Sequence, residues 1–244
     1  MEVSVVIPNF NGIAFLDSVL ASLEGQTLNN FEVILVDNGS TDGSCSFVTA
    51  NYPWVHLIEL SENFGFCGAV NAGIRAAKAP YVLLLNNDTE VKEDFVEEML
   101  AAIRRHKNAF SCGARMVQYH DRDKLDDVGN YYCALGWSFA RGRGKDIHAY
   151  ETEDRIFSAC AGAAIYRKKI LEKIGYFDEE HFAYLEDTDI GYRARIYGYE
   201  NWYAPKAIVY HVGSGTSGSR YNQFKTRYSS RNNIYLIYKN MPLL

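Results

Sequence analysis

The first ninety residues alternate apolar runs of strand length with segments of helical pattern. Continuous apolar, β-branched-rich runs occur at residues 3–8, 31–37, 54–60 and 81–86, and helical patterns lie between them at 13–25, 43–52 and 66–78. In the first helical segment, apolar residues recur at the spacing of one helix face: Ile13, Leu16, Leu20 and Leu23. This alternation predicts an α/β fold, in which helices cover both faces of a mostly parallel central sheet.

The second half of the chain is less regular. It predicts a helix at residues 91–106, buried strands at 110–118, 159–167 and 201–210, a short helix at 168–174, and helices from Glu186 to Tyr197 and from about Gln223 onward. Residues 119–158 carry charge clusters and aromatic residues without a regular period, which indicates a loop-rich insertion. Because no linker rich in proline, glycine or serine divides the chain, we expect a single domain over residues 1–244.

Polar side chains gather at the ends of the predicted strands. Pro8 ends the first strand and Asn9 follows it, Asp37 ends the second, and an Asn-Asn-Asp triplet at 86–88 closes the fourth. Right-handed crossovers bring the carboxyl ends of parallel strands to one edge of the sheet. Ligands of such sheets bind at this edge, so we expect these residues to line a pocket.

Composition narrows the chemistry of that pocket. A formal net charge of -5 and a pI of about 5.7 argue against a nucleic-acid-binding surface. The five cysteines are scattered and lack CxxC spacing, which favours a reducing, cytoplasmic compartment and gives no sign of zinc or of a disulfide framework. No apolar run approaches the roughly 18 residues that a membrane span needs.

The common phosphate-binding loops are absent from the sequence. There is no GxxxxGK[ST], and "NFGFCG" lacks the first glycine of GxGxxG. A phosphate ligand would then need another source of positive charge, such as a divalent cation held by carboxylate and histidine. Asp88 is a candidate metal ligand, the alternative being that its triplet caps the following helix. His211, at the end of a predicted strand, is either a second ligand or a structural histidine.

Two further acidic positions carry candidate chemistry. Asp37 can accept the imide N–H of uracil or thymine, or it can form an Asx-turn before a helix. Glu186, Asp187 and Asp189 place three carboxylates in four residues at a helix start. Helix-dipole attraction explains such clusters, yet the aromatic segment before them suggests a partly enclosed site, where a carboxylate can act as general base.

Seven motifs, distributed along nearly the whole chain, resemble those of family-2 glycosyltransferases and occur in the order found there. The similarity is strongest to the rhamnosyltransferase-like branch of that family. The motifs are VSVVIPNFNG, VILVDNGSTDGS, NFGFCGAVNAGI, LLLNNDTEV, CAGAAIYRKKILEKIGYFDE, FAYLEDTDIGYRAR and YHVGSGTS. The resemblance implies a Rossmann-like GT-A fold, a nucleotide-diphosphate-sugar donor, Mn²⁺ or Mg²⁺, and inversion at the anomeric carbon. Residues 1–118 would bind the donor, and residues 119–244 would hold the acceptor and the catalytic groups.

Site roles follow from the same resemblance, residue by residue. Asp37 resembles the base-reading aspartate, which leaves UDP and dTDP donors equally open. Asp88 resembles the last residue of the DxD metal motif, with His211 as the histidine sometimes found on the metal. Asp187 resembles the catalytic base, and Glu186 would position the acceptor or the base. Pro8, Asn9 and Gly65 would line the nucleoside pocket, while Asn86 and Asn87, amides where many relatives carry aspartate, would contact the donor sugar or ribose.

Three other functions are alternatives to an enzyme that transfers a sugar to a glycan or a lipid-linked glycan. A haloacid-dehalogenase-type phosphatase would need DxDxT, and Asp37 is followed by Asn38 and Gly39. A nucleotidyltransferase would need a glycine-rich signature with cations near the first strand, which "IPNFNG" does not provide. A non-catalytic nucleotide-sugar-binding or scaffold subunit of a glycan-assembly complex is the main alternative, because the metal motif is reduced to one acidic residue.

Two segments and two tryptophans have no single interpretation. The apolar end "NNIYLIYKNMPLL" is a helix packed on the core, a surface that docks peripherally on the inner face of a membrane or on a partner, or part of a chain that continues past Leu244. The "RGRGK" segment at 141–145 is a solvated loop or attracts an anionic lipid-linked acceptor. Trp137 and Trp202 either pack in the protein or stack on acceptor sugars. The loop at 213–220 is expected to close over the diphosphate.

Overall fold

The computed structural model describes residues 1–213 and 222–242, and within these ranges it has twelve strands and seven α-helices. The helices are α1 (Ile13–Glu24), α2 (Ser44–Asn51), α3 (Gly65–Ala76), α4 (Phe95–Arg105), α5 (Lys168–Ile174), α6 (Glu186–Ile196) and α7 (Gln223–Asn240). The strands are β1 (Val3–Asn9), β2 (Phe31–Asp37), β3 (His56–Glu59), β4 (Tyr81–Leu85), β5 (Thr89–Val91), β6 (Ala109–Gln118), β7 (Leu125–Asp127), β8 (Asn130–Tyr132), β9 (Ser138–Ala140), β10 (Asp154–Ile156), β11 (Ala163–Arg167) and β12 (Glu200–His211).

Ten of these strands form one sheet in the order β10-β12-β6-β11-β4-β1-β2-β3, with β5 beside β12 and β7 beside β6. The neighbours β4, β1, β2 and β3 are parallel, as predicted. β11 runs antiparallel to both β4 and β6, while β6 and β12 are again parallel to each other. The carboxyl ends of the six parallel strands therefore share one edge.

Both faces of the sheet are buried under helices, as the apolar runs predict. Alternate residues of β1 face opposite sides: Val5 and Ile7 pack with Leu20 of α1, whereas Val6 packs with Ile74 of α3. This alternation is the period-two geometry of a strand, and it explains why the run has no polar face. The predicted mostly parallel α/β architecture is confirmed.

One predicted element starts at the wrong residue, and one predicted segment contains more regular structure than expected. The helix expected from residue 91 begins at Phe95, because residues 89–91 form β5, which pairs with β12. The loop-rich insertion at 119–158 contains four short strands, of which β8 and β9 form a separate hairpin. Three-residue strands are too short to show a period and depend on their partners in the fold.

Trp202 stacks on His106 with ring centroids 3.6 Å apart, so it packs within the protein.

None of the helices within residues 1–213 and 222–242 is long and apolar enough to cross a membrane.

Candidate active site

Three polar side chains from the strand ends form one hydrogen-bonded chain. The register of β1 and β2 places Asn9 beside Asp37. Nδ2 of Asn9 donates to Oδ2 of Asp37 at 2.9 Å, and Nδ2 of Asn87 donates to Oδ1 of Asn9 at 2.7 Å. All three side chains are buried. The structure therefore brings together three residues predicted to bind the donor, and it ties each of them to the next.

Because Gly12 has no side chain, there is room beside it for the hydrogen-bonded side chains of Asn9 and Asn87. A Cβ added at Gly12 would lie 2.1 Å from Nδ2 of Asn87 and 2.5 Å from Oδ1 of Asn9. The φ of Gly12 is -112°, which any residue can adopt. The absence of a side chain, rather than backbone freedom, is what this position requires.

The turn after β2 uses Asp37 as a backbone acceptor. Oδ1 of Asp37 accepts the N–H of Ser40 at 2.8 Å. Asp42, further along the same turn, accepts the N–H groups of Ile13 and Ser44 at 2.9 and 3.0 Å. The turn role considered for Asp37 is thus present, and its contact with a nucleobase stays a prediction.

Gly65 lies where the segment before α6 approaches the strand ends. Its φ is 74°, and an added Cβ would lie 2.6 Å from both the ring and the carbonyl of Phe182. Glycine alone tolerates this backbone region without strain. The carbonyl of Gly65 accepts a hydrogen bond from Nδ2 of Asn38 at 3.0 Å. Its place in a nucleoside pocket with the half-buried Pro8 stays a prediction.

Asp88 pairs with His211, its predicted partner. Nε2 of His211 lies 3.3 Å from Oδ1 of Asp88, and Nδ1 of the same ring lies 2.7 Å from Oδ2 of Asp126. The pairing of β5 with β12 sets His211 opposite Thr89 and so brings it beside Asp88. A carboxylate only accepts hydrogen bonds, so Nδ1 donates to Asp126 and the ring is fixed with Nε2 toward Asp88.

The two carboxylates control the charge of the histidine. Burial lowers the pKa of His211, but its hydrogen bonds to Asp126 and Asp88 outweigh burial and raise the pKa to about 10. Burial raises the pKa of Asp126, and the contact with His211 reverses this, so that the pKa of Asp126 is lowered. Arg143 adds a second cation 3.2 Å from Oδ1 of Asp126. The two carboxylates therefore keep a positively charged histidine next to Asp88.

The donor atoms of this cluster fit a divalent cation. Two ligands of one octahedral ion lie about 3 Å apart, close to the 3.3 Å between Asp88 and His211. A carboxylate on the second ring nitrogen, as Asp126 provides, orients histidines that bind metals. Within residues 1–213 and 222–242, no group of three or more His, Cys, Asp or Glu side chains is arranged to hold a metal ion. Donor phosphates and water would therefore have to complete the coordination.

A pocket of about 250 Å³ opens beside Asp88. It lies between the first turns of α1 and the end of β6, and its other lining residues are Ala14, Phe15, Ser18, Thr89, Tyr119, His120 and Val212. Asp88 is buried, but this pocket makes it reachable by a small ligand. The loop expected to close over a diphosphate lies outside the described residues apart from Gly213.

The first turn of α6 presents Asp187 in a fixed orientation. Oδ1 of Asp187 accepts the N–H of Thr188 at 2.6 Å, and Oδ2 accepts Nδ2 of Asn130 at 3.4 Å. Burial raises the pKa of Asp187, and hydrogen bonds from Thr188, Ala161 and Asn130 oppose this effect. These hydrogen bonds orient the carboxylate, and the residue as a whole is only partly buried.

Glu186 has a different environment from its neighbour. It is buried, and its Oε2 has no hydrogen-bond partner among the described residues. Burial and then the charge of Asp187 raise the pKa of Glu186 to about 8. A carboxyl that is protonated at neutral pH cannot take a proton from an acceptor hydroxyl, so the two environments favour Asp187 as the base.

A strained turn precedes this helix. Phe182, Tyr184 and Leu185 all have left-handed backbones, with φ of 61°, 71° and 65°. Each costs about 1–2 kcal/mol for a residue with a side chain. Asn232 of α7 is fully buried and donates from Nδ2 to three carbonyls of residues 181–184, at 2.8 to 2.9 Å. Helix α7 therefore stabilises the turn that sets the orientation of the first turn of α6.

Two consecutive aspartates of β7 link the Asp88–His211 pair with the start of α6. Asp126 contacts His211, as described above. Asp127 is buried and accepts the N–H of Gly129 at 2.6 Å. Burial raises the pKa of Asp127 well above its usual range, and the charge of Asp187 adds to this. Asp126 and Asp127 therefore bring one carboxyl group next to His211 and another within electrostatic range of Asp187.

Four supporting residues of this site were not indicated by the sequence patterns: Gly12, Asp126, Asn130 and Asn232. The paired aspartates in the apolar "LDDV" are one signal that could have been used, because buried acidic pairs are uncommon. The others have no local signal, since their hydrogen-bond partners lie far along the chain; those of Asn130 and Asn232, for example, are 57 and about 50 residues away.

The fold and this site define a GT-A glycosyltransferase. The sequence model of the family "Glycosyl transferase family 2" matches residues 4–175, and the chain therefore belongs to that family. Over 236 residues the chain is 27% identical to N-acetylglucosaminyl-diphospho-decaprenol L-rhamnosyltransferase of Mycobacterium tuberculosis, covering 88% of this chain and 77% of the relative. It is also 29% identical over 198 residues to the uncharacterized glycosyltransferase YwdF of Bacillus subtilis, covering 80% and 68% of the two chains.

Solved structures show the same fold. The chain superposes on GalNAc-T7, crystallised with UDP, GalNAc and Mn2+, with a TM-score of 0.77 at 15% identity, over 98% of this chain and 48% of that one. It superposes on residues 1–349 of S. aureus TarS in complex with UDP with a TM-score of 0.65 at 20% identity, over 100% and 67% of the two chains. The chain thus spans about half of the GalNAc-T7 chain. The predicted family and fold are confirmed.

Proposed function

We propose that this glycosyltransferase moves a sugar from a UDP- or dTDP-sugar to a hydroxyl of a glycan or lipid-linked acceptor, with inversion and with a divalent metal. The observation that carries the proposal is the pairing of His211 with Asp88, while Asp126 fixes the other ring nitrogen. A histidine held in this way presents Nε2 beside a carboxylate, and these two donor atoms could together bind a divalent cation.

The metal ligands are Asp88 and His211, and Mn²⁺ or Mg²⁺ is the cofactor. When bound, the cation offsets the charge that develops on the leaving diphosphate. Asp126 holds the Nδ1 proton, so Nε2 is the nitrogen that would bind the metal once its own proton is displaced. Because the net charge of the chain is -5, the protein as a whole does not attract phosphate. The positive charge that binds the diphosphate therefore has to come from this cluster.

Asp187 is the general base. The acceptor oxygen forms a bond to the anomeric carbon while the bond from that carbon to the diphosphate oxygen breaks, and the leaving diphosphate keeps the electron pair. The acceptor proton passes to the Asp187 carboxylate, which Asn130 and Thr188 hold in place. Displacement from the opposite face inverts the configuration. Glu186, protonated at neutral pH, helps to position the acceptor.

The nucleoside lies along the ends of β1 and β2 in this proposal. Pro8, Asn9 and Gly65 line its pocket, Asp37 accepts the imide N–H of the base, and Asn86 and Asn87 contact ribose or sugar. Asn87 and Asn9 already support each other, so their contribution includes fixing the shape of the pocket. Residues 1–118 form the donor half, and residues 119–244 form the acceptor and catalytic half.

The name of the mycobacterial relative supports a rhamnosyl donor and a lipid-linked acceptor for the present chain. The reducing compartment favoured by its free cysteines supports action at the cytoplasmic side of a membrane. In this proposal the C-terminal segment associates peripherally with that membrane.

The test is release of nucleoside diphosphate from a panel of UDP- and dTDP-sugars with candidate acceptors, with and without Mn²⁺. Asp187→Asn should lower turnover by about two orders of magnitude or more while donor binding, measured by calorimetry, stays near normal. Asp123→Asn, an exposed residue, is the matched control. Unchanged turnover in Asp187→Asn would remove Asp187 from its role. Donor binding without release by the unaltered protein would favour the scaffold alternative.

A further inference from the structure

The β8–β9 hairpin carries aromatic side chains on its outer face. Tyr131 and Phe139 lie opposite each other in the pairing, and they are 53% and 54% exposed. Trp137 is 56% exposed and Leu135, in the turn, is 81% exposed. Alternation places Trp137 on the same face as the Tyr131–Phe139 pair. The neighbouring side chain of Ser138 points inward, where its hydroxyl contacts that of Thr188 at 3.1 Å.

Helix α7 continues this apolar surface. Ile234 and Tyr238 are spaced by one helical turn and are 69% and 77% exposed. The hairpin packs directly against this part of α7, because an added Cβ at Gly136 would lie 2.5 Å from Cδ1 of Ile237. We name the combined surface the aromatic face, and it comprises Tyr131, Leu135, Trp137, Phe139, Ile234 and Tyr238.

The two segments that carry the aromatic face are basic. Residues 129–145 and 222–242 contain seven lysines and arginines and no aspartate or glutamate, in a chain whose net charge is -5. Arg141, Arg143 and Lys239 pair with carboxylates of other segments. Lys145 and Arg227 are exposed. A second copy of the same basic face would be repelled, whereas an anionic surface would be attracted.

The aromatic face adjoins the catalytic base. The hairpin begins with Asn130, which donates to Asp187. Helix α7 contributes Asn232, which holds the turn before α6. The same two elements therefore carry the exposed aromatic residues and fix the acceptor side of the site.

We propose that the aromatic face docks on the interface of an anionic lipid bilayer. Tyrosine and tryptophan are suited to the headgroup region, and neighbouring lysine and arginine add attraction to anionic lipids. Docking in this way brings Asp187 close to the membrane surface, where the sugar end of a lipid-linked acceptor lies. The purpose of docking rests on the proposed function, but the binding itself does not.

The experiment measures co-sedimentation of the full chain with vesicles of phosphatidylcholine alone or mixed with phosphatidylglycerol. We expect binding to the mixed vesicles, weakened by added salt because the charge attraction is screened. Neither donor nor acceptor is present, and nucleotide binding is measured separately, so this proposal and the enzymatic one fail independently.

Matched variants locate the surface. Trp137→Ser and Ile234→Ser should each weaken binding to the mixed vesicles by roughly tenfold. Trp54→Ser and Ile196→Ser are the controls, since these side chains are also exposed, at 41% and 59%, and lie outside the aromatic face. Thermal unfolding of each variant shows that it is folded.

Three results would overturn the proposal. The first is no binding, or equal binding to vesicles without phosphatidylglycerol. The second is equal loss of binding in the controls and in the two face variants. The third is a dimer in solution that Trp137→Ser dissociates, which would assign the face to a second copy of the chain.

Discussion

Nδ2 of Asn130 lies 3.4 Å from Oδ2 of Asp187, although the two residues are 57 positions apart in the chain. This contact joins the β8–β9 hairpin to the first turn of α6. It is one of the hydrogen bonds that lower the pKa of Asp187 against the effect of burial. The orientation and the basicity of the proposed base therefore both depend on a residue outside its own helix.

Replacing Asn130 should change catalysis and its pH dependence together. In Asn130→Ala the pKa of Asp187 rises further, so the acid limb of the pH–turnover profile moves to higher pH. Turnover at neutral pH should fall by roughly tenfold, with little change in the KM for the donor. Asn108→Ala, which removes a hydrogen bond to the carbonyl of Gly198, is the control. An unshifted acid limb would show that Asn130 has only a structural role.

Replacing Asp126 should weaken metal binding. Asp126→Asn removes the carboxylate that orients His211, and loss of such a partner lowers metal affinity by about 10- to 100-fold. Calorimetry of Mn²⁺ binding in the presence of UDP measures this directly, without turnover. Asp121→Asn makes the same charge change at an exposed position a few residues earlier. Equal Mn²⁺ affinity in the two variants would remove Asp126 from the site.

A methyl group at Gly12 should disrupt the strand-end hydrogen bonds. In Gly12→Ala the new Cβ collides with Asn87 and Asn9, and overpacking of this kind costs about 1–3 kcal/mol. Nucleotide binding should weaken in parallel. Gly25→Ala, at the other end of α1, meets nothing within 4 Å and should change stability by less than about 0.5 kcal/mol. Urea unfolding of both variants decides the comparison, and equal stabilities would contradict the steric argument.

Glu186 should make the protein less stable as the pH rises. At pH values below 4.5 its carboxyl is protonated in both states, but between 4.5 and about 8 mainly the unfolded state ionises, so stability falls across this range. Glu186→Gln removes this loss. Its free energy of unfolding, relative to the unaltered protein, should therefore increase by more than about 1 kcal/mol from pH 5 to pH 8.

The control for this pH dependence is Glu180→Gln, because Glu180 is exposed. Chemical unfolding at several pH values gives the free energies for both variants. If the stability difference of Glu186→Gln were the same at pH 5 and pH 8, the buried carboxyl would be ionised in the folded protein, and Glu186 would again compete with Asp187 for the role of base.

The predicted elements that match the structure are those with long periodic patterns. The strand predicted at 31–37 is observed as Phe31–Asp37, and the helix predicted from residue 13 begins at Ile13 and ends one residue early. The short strands β5 and β7 were not predicted, although they bring Thr89 opposite His211 and carry Asp126. Three residues hold too little pattern for any prediction, and only pairing with β12 and β6 makes them strands.

Local sequence patterns were enough to predict the α/β class, the edge at which polar residues collect, and membership of family-2 glycosyltransferases, because apolar periodicity and strand-end residues are local properties. Three features became visible only in the folded chain: Asp126 contacts the far side of the His211 ring, Asn130 and Asn232 support the start of α6, and the hairpin and α7 share one aromatic face. Each of these features depends on contacts between residues far apart in the chain, and such contacts leave no local sequence pattern.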